Sequence, residues 1–102
     1  MNDDKRKLAK LCVLVKIKRS KTITVDMYQD EHGSLVFPWD PFTNIEQAIM
    51  VADKFYTWKV GRDRLDSCYI SHIRNFKDLF WGEGYTPAEA ICRAALSALE
   101  EG

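Results

Sequence analysis

His32 and His72, with Cys12, Cys68 and Cys92, are the side chains best suited to metal binding or nucleophilic catalysis. A catalytic nucleophile needs a base beside it and a third group to orient that base. Cys68 and His72 come nearest to such a pair, four residues apart. On a helix that spacing stacks two side chains. Ser67-Cys-Tyr-Ile-Ser-His-Ile73 reads as a strand instead, with Cys68, Ile70 and His72 on one face. Four residues of strand cover about 13 Å, too far to share a proton or a metal without a bend. His32 falls at the tip of an expected turn, Gln29–Gly33, which is too mobile a place for a precise base. No catalytic residue and no metal ligand is assigned. The cysteine count is odd, no two are close in sequence, and Cys12 and Cys92 lie in apolar patterns, so all three read as reduced thiols.

The carboxylates are dispersed. Asp63 and Asp66, interleaved with Arg62 and Arg64, read as a solvated turn. No phosphate-cradling glycine motif is present, and Gly82-Glu-Gly84 reads as two glycines in a strand-to-helix turn. The expectation is therefore a protein that is not an enzyme and holds no cofactor.

Charge gives a sharper signal. Fifteen basic and fifteen acidic residues cancel, which argues against a dedicated nucleic-acid binder. Residues 1–21, however, hold eight basic residues against two acidic ones. Lys16, Lys18, Arg19 and Lys21 crowd into six positions and repel one another. An acidic partner surface or a phosphate backbone would relieve that repulsion, as would the acidic remainder of the same chain, Glu100 and Glu101 included. These four residues, helped by Trp39, are the candidate partner-binding site. Trp39 lies in Phe37-Pro-Trp-Asp-Pro-Phe42, a loop stiffened by two prolines. Trp39 and Phe42 either pin that loop to the core or present a rigid aromatic surface.

The elements that must position these groups follow from periodicity. Thr86-Pro-Ala-Glu89 writes a helix start: a cap, a proline for the first turn and a capping-box glutamate. Ala88, Ile91, Cys92, Ala95, Leu96 and Leu99 then recur at helical spacing, with Glu89 placed to pair Arg93. Ala90, Ala94 and Ala98 form a smooth flank for close approach to a sheet or to a second copy, so a homodimer is among the expected partners. Thr43-x-x-Glu46 opens a second helix, with Ile45, Ala48, Ile49, Ala52, Phe55 and Tyr56 inward, Val51 at the edge, and Glu46, Gln47, Asp53 and Lys54 outward. A first helix is expected from about residue 4 to 15, although Val13–Ile17 also suits a strand. Strict alternation marks Thr22–Tyr28 as a strand, with a return at Ser34–Phe37. Ser67–Ile73 and Asp78–Gly82 read as a second pair, with a further short strand near Thr57–Val60. The 102 residues thus form a single α+β domain, three helices packed on a small, mostly antiparallel sheet. The longest apolar run, Leu11–Val15, is far short of the roughly 18 residues of a membrane span, and no signal peptide is visible, so a cytoplasmic protein without a membrane partner is expected.

The stretch Gly82-Glu-Gly-Tyr-Thr-Pro-Ala-Glu-Ala-Ile-Cys-Arg-Ala-Ala-Leu-Ser-Ala-Leu99 resembles the end of the phage ABA sandwich domain family, whose closing helix has an Ala-Ile-Cys-Arg-Ala-Ala-Leu pattern. Pro41-Phe-Thr-Asn-Ile-Glu-Gln-Ala48 is similar to the opening of the family's alanine-rich helix, and Leu8–Val15 takes the place of its first helix. The Lys16–Lys21 run and the Ile23–Met27 strand have no counterpart. The resemblance implies an alpha-beta-alpha sandwich and a phage or prophage context in a bacterial host, not a reaction. The last helix also resembles that of double-stranded-RNA-binding domains, but Pro87 and Ala88 stand where those carry a lysine pair. Gly84-Tyr-Thr-Pro-Ala-Glu-Ala90 looks like the helix start of HicB-type antitoxins, without their preceding strand motif. The function expected is that of a non-catalytic accessory protein that binds a host or phage protein. Modulation or inhibition of a host defence system fits that context. A nucleic-acid-binding module or a HicB-like antitoxin is the alternative.

Overall fold

A computed structural model describes residues 2–17, 27–36, 38–63 and 67–101. The chain runs α1 (Asn2–Leu11), β1 (Val15–Ile17), β2 (Met27–Gln29), β3 (Leu35–Val36), α2 (Ile45–Ala52), β4 (Thr57–Asp63), β5 (Cys68–Arg74), β6 (Leu79–Gly84) and α3 (Pro87–Glu101). It is the expected α+β sandwich; among the described residues the strands form two three-stranded antiparallel sheets, β1-β2-β3 and β4-β5-β6, rather than one.

α3 starts where its cap predicts. Thr86 Oγ1 accepts from the Glu89 amide at 3.2 Å, and Glu89 pairs with Arg93 at 2.7 Å. The helix is buried on two sides. Ile91, Cys92 and Ala95 face the core, while Ala90 and Ala94, also fully buried, receive β6. Contact with β6 is close enough to need glycine. A Cβ on Gly84 would stand 2.7 Å from the Ala90 nitrogen, and one on Gly82 would collide with the backbone of Ala94. Gly82 and Gly84 therefore belong to the inward face of a strand, not to a turn as expected. The alanine flank is used by the chain's own sheet. Leu99, expected inward, is 37% exposed.

α1 ends four residues before the expected position. Leu14 N–H donates to the Ala9 carbonyl at 2.9 Å and Val13 N–H to that of Lys10 at 3.1 Å. This is a Schellman stop, which places Val13 at φ 58°. A β-branched residue there gives no sequence warning, because glycine or asparagine is the usual occupant. The chain then enters β1, which pairs with β2 from Val15↔Gln29 to Ile17↔Met27. Most of the expected strand Thr22–Tyr28 lies outside the described residues.

In α2 the cap is Asn44, not Thr43: the Asn44 side chain accepts from the Gln47 amide. The buried stripe is also turned. Gln47, Ala48, Val51 and Ala52 are inside, while Ile45 and Tyr56, expected inward, are exposed. Gln47, expected outward, drives the change. Its amide donates to the Pro38 carbonyl at 2.7 Å, and its carbonyl accepts from the Asp40 amide at 2.6 Å. The side chain thereby satisfies the main chain of the proline-flanked loop, so burying it is favourable.

Leu8 of α1, Leu14 just before β1, Tyr28 of β2 and Trp39 of the loop before α2 close the core on this side. The Tyr28 and Trp39 rings meet edge to face at 6.3 Å.

Candidate functional site

The residues expected to bind a partner fare unequally. Lys18, Arg19 and Lys21 lie outside the described residues; Lys16 is placed by its backbone in β1, opposite Tyr28. Trp39 is in the core, 5% exposed, with its indole N–H donating to the Lys5 carbonyl at 2.9 Å. The proline-flanked loop is pinned inward, and Trp39 is not on a surface a partner can reach. Cations of α1 are matched internally: Lys5 with Asp40 at 3.5 Å and Lys7 with Glu100 at 3.9 Å. The acidic remainder of the chain thus does neutralise part of the basic end.

The chemistry-bearing residues sit on separate parts of the fold, although Cys12 and Cys92 share the core. Cys12, Cys68 and Cys92 are all buried. Burial pushes the Cys12 thiol up to about 11 and the Cys92 thiol up to about 12, which keeps both protonated near neutrality. His32 sits on the β2–β3 turn, which Asp30 holds by accepting from the His32 and Ser34 amides. His72 is on β5, facing away from α3 and opposite Lys59 and Trp81. No group of three His, Cys, Asp or Glu side chains among the described residues could hold a metal ion.

The second sheet supplies a site that none of these residues announced. Alternation sends Trp58 and Val60 of β4, Ser71 and Ile73 of β5, and Phe80, Gly82 and Gly84 of β6 toward α3. The opposite face carries two cross-strand rows, Lys59–His72–Trp81 and Thr57–Arg74–Leu79. Trp81 and Leu79 are each 57% exposed. At the end of the sheet next to Thr57 and Arg74, Tyr56 and Phe76 pair with ring centroids 5.1 Å apart, and Phe76 is 90% exposed. The Asn75 side chain fixes this corner by accepting from the Lys77 and Asp78 amides.

Two depressions cross the same face. One, of about 460 Å³, is lined by Thr57, Lys59, His72, Arg74 and Leu79 among others. The next, of about 320 Å³, shares Lys59 and His72 and continues past Gly61 and Ile70 to Asp63. Lys59 and Arg74 have no ion-pair partner among the described residues. The face therefore combines large apolar side chains with uncommitted cations on a rigid strand platform, the composition of an energetic protein contact.

Sequence reasoning missed this site because it counted Trp81 among many aromatics. The signal was the alternation Phe80-Trp81-Gly82-Glu83-Gly84. A glycine-smooth face toward the helix forces Trp81 outward.

Comparison with known proteins agrees with the architecture. The family model of the phage ABA sandwich domain matches residues 6–96. The fold is similar to that of a phage protein from Bacillus cereus ATCC 14579, solved at 2.0 Å, with a TM-score of 0.70 and 25% sequence identity over 96% of this chain and 85% of that one. No curated protein matches.

Proposed function

Because the chain belongs to the phage ABA sandwich domain family, we propose that it is a non-catalytic phage accessory protein that acts by binding another macromolecule through the outer face of β4–β6. The observation that carries this reading is the exposure of Tyr56, Phe76, Leu79 and Trp81 on one sheet and its end. Covering these four side chains would remove about 500 Å² from water, most of the ~800 Å² that one side of a standard interface buries. Two protonated, buried thiols and two separated histidines support a binding role over a catalytic one. A host protein is the partner class that phage membership suggests, and modulation of a host system is the consequence in view. The basic segment from Lys16 to Lys21 is a second contact in this proposal, steering an acidic partner toward the molecule.

The test is affinity capture from phage-producing cells with the wild-type chain, Trp81→Ala and Phe76→Ala in parallel. One partner at near-equal stoichiometry, lost with either variant while both melt like wild type, supports the reading. A partner retained equally by both variants contradicts it.

A further inference from the structure

The second sheet has two edges, and they are not equivalent. On β6 the Glu83 carbonyl is taken by Arg93 Nη1 at 3.1 Å, and that guanidinium is itself held by Glu89. On β4 no strand among the described residues pairs the outer side. Edge strands leave alternate N–H and C=O groups unpaired along their length, a template for another extended chain. β4 is seven residues long, about 23 Å. The two depressions run beside it from Thr57 to Asp63, so groove and free edge are coextensive. In its middle, Gly61 is exposed and leaves the outer face open: a Cβ there would meet nothing within 4 Å among the described residues.

The charge along this track differs between its ends. Lys59 and Arg74 stand together at the Thr57 end, with no carboxylate among the described residues lining that depression. Arg62, by contrast, turns to the α3 side with Tyr69 and Gly84, and the far end carries Asp63 and, across from Ile70, Glu83. We propose that the β4 edge and its groove take an extended acidic segment of another protein, added as a fourth strand. Main-chain hydrogen bonds to β4 would supply affinity. Carboxylates on the outer side of the added strand would meet Lys59 and, behind it, Arg74, and the alternate apolar side chains would extend the inward face beside Trp58 and Val60. The proposal rests on the reading that this face is a docking surface, and adds the chemistry of what docks there. Lysine on an edge strand also serves to repel unwanted pairing. That alternative predicts no preference for acidic peptides.

A display library of random linear peptides of about ten residues, long enough to span β4, decides between them. The library is selected on the immobilised full chain. The expected peptides alternate Asp or Glu with apolar residues and lack central proline. Their affinity should fall about tenfold, or 1.4 kcal/mol, on Lys59→Glu with Arg74→Glu, and by a similar factor when alternate peptide nitrogens are methylated. Lys59→Gln with Arg74→Gln, checked by thermal melting, keeps the test valid if the reversal variant fails to fold, and should lose affinity in the same direction. Selected peptides without acidic enrichment, binding indifferent to either variant, or no selected peptide would each overturn the proposal. So would binding of a thymidine oligonucleotide that the same variants abolish, since the track would then be a nucleic-acid groove. If a captured partner requires Trp81 but neither Lys59 nor Arg74, the docking face stands and strand addition falls.

Discussion

Replacing Gly82 with alanine should be among the most damaging single-methyl changes in this protein. The added Cβ would lie 2.8 Å from the Arg93 carbonyl carbon and 2.9 Å from the Ala90 carbonyl oxygen, and closer still to the Ala94 nitrogen. All three are main-chain atoms of α3, so no side chain can rotate away. Ordinary contact would require β6 and α3 to separate by roughly 1 Å. That separation would loosen Ile91, Ala94 and Ile73, all fully buried. Overpacking of a filled core costs about 1–3 kcal/mol, and this site belongs at the upper end because both partners are backbone. For a chain of this size, ~3 kcal/mol lowers the melting temperature by roughly 12–20 °C. Gly61→Ala is the control, since its Cβ would meet nothing within 4 Å. It should fall within about 0.5 kcal/mol of wild type, or gain slightly from a stiffer unfolded chain. Circular-dichroism melts and urea titrations of both variants measure the difference. Equal stabilities would refute the claim that β6 and α3 meet backbone to backbone.

Val13→Gly should stabilise the chain by about 0.5–1 kcal/mol, because it removes a β-branched residue from a left-handed position at the end of α1; urea midpoints will show it. Gln47→Ala should cost about 2–3 kcal/mol by leaving the Asp40 amide and the Pro38 carbonyl without their partner, a loss that Gln47→Glu should not fully restore because a carboxylate cannot donate to Pro38. The raised thiols of Cys12 and Cys92 favour the folded state while protonated. Their contribution is complete below the ordinary 9.0 and is lost as pH rises through about 11 and about 12. Urea midpoints should therefore fall above pH 9 more steeply in the wild type than in Cys12→Ala with Cys92→Ala.

Elements with a complete local code were legible in the sequence. Thr86, Pro87 and Glu89 fixed the start of α3, because cap, proline and glutamate all act within one turn. β5 and β6 were legible from alternation. Where a tertiary contact overrode local pattern, the reading failed. Gln47 is polar and was placed outside, but a loop nearly a full helix length away in sequence supplies its two hydrogen bonds. Val13 carries no stop signal, since the left-handed turn is imposed by the docking of Leu14 into the core. Trp39 was read as half of a binding surface because a stiff aromatic loop looks the same in sequence whether it faces in or out. The outer face of the second sheet was hidden for a different reason. Its residues sit on three strands, and only the register Lys59↔His72↔Trp81 brings them into one row.

The central claim is that this row, with Leu79 and the Tyr56–Phe76 corner, is where a partner sits. Site-specific photo-crosslinking in phage-producing cells tests it most directly, with a benzophenone amino acid placed in turn at positions 81, 79 and 46. Glu46 is exposed on the first turn of α2 and serves as the reference position. The account predicts a single discrete adduct from positions 81 and 79 and none from position 46. An adduct that forms from position 46 while positions 81 and 79 stay unmodified would contradict it.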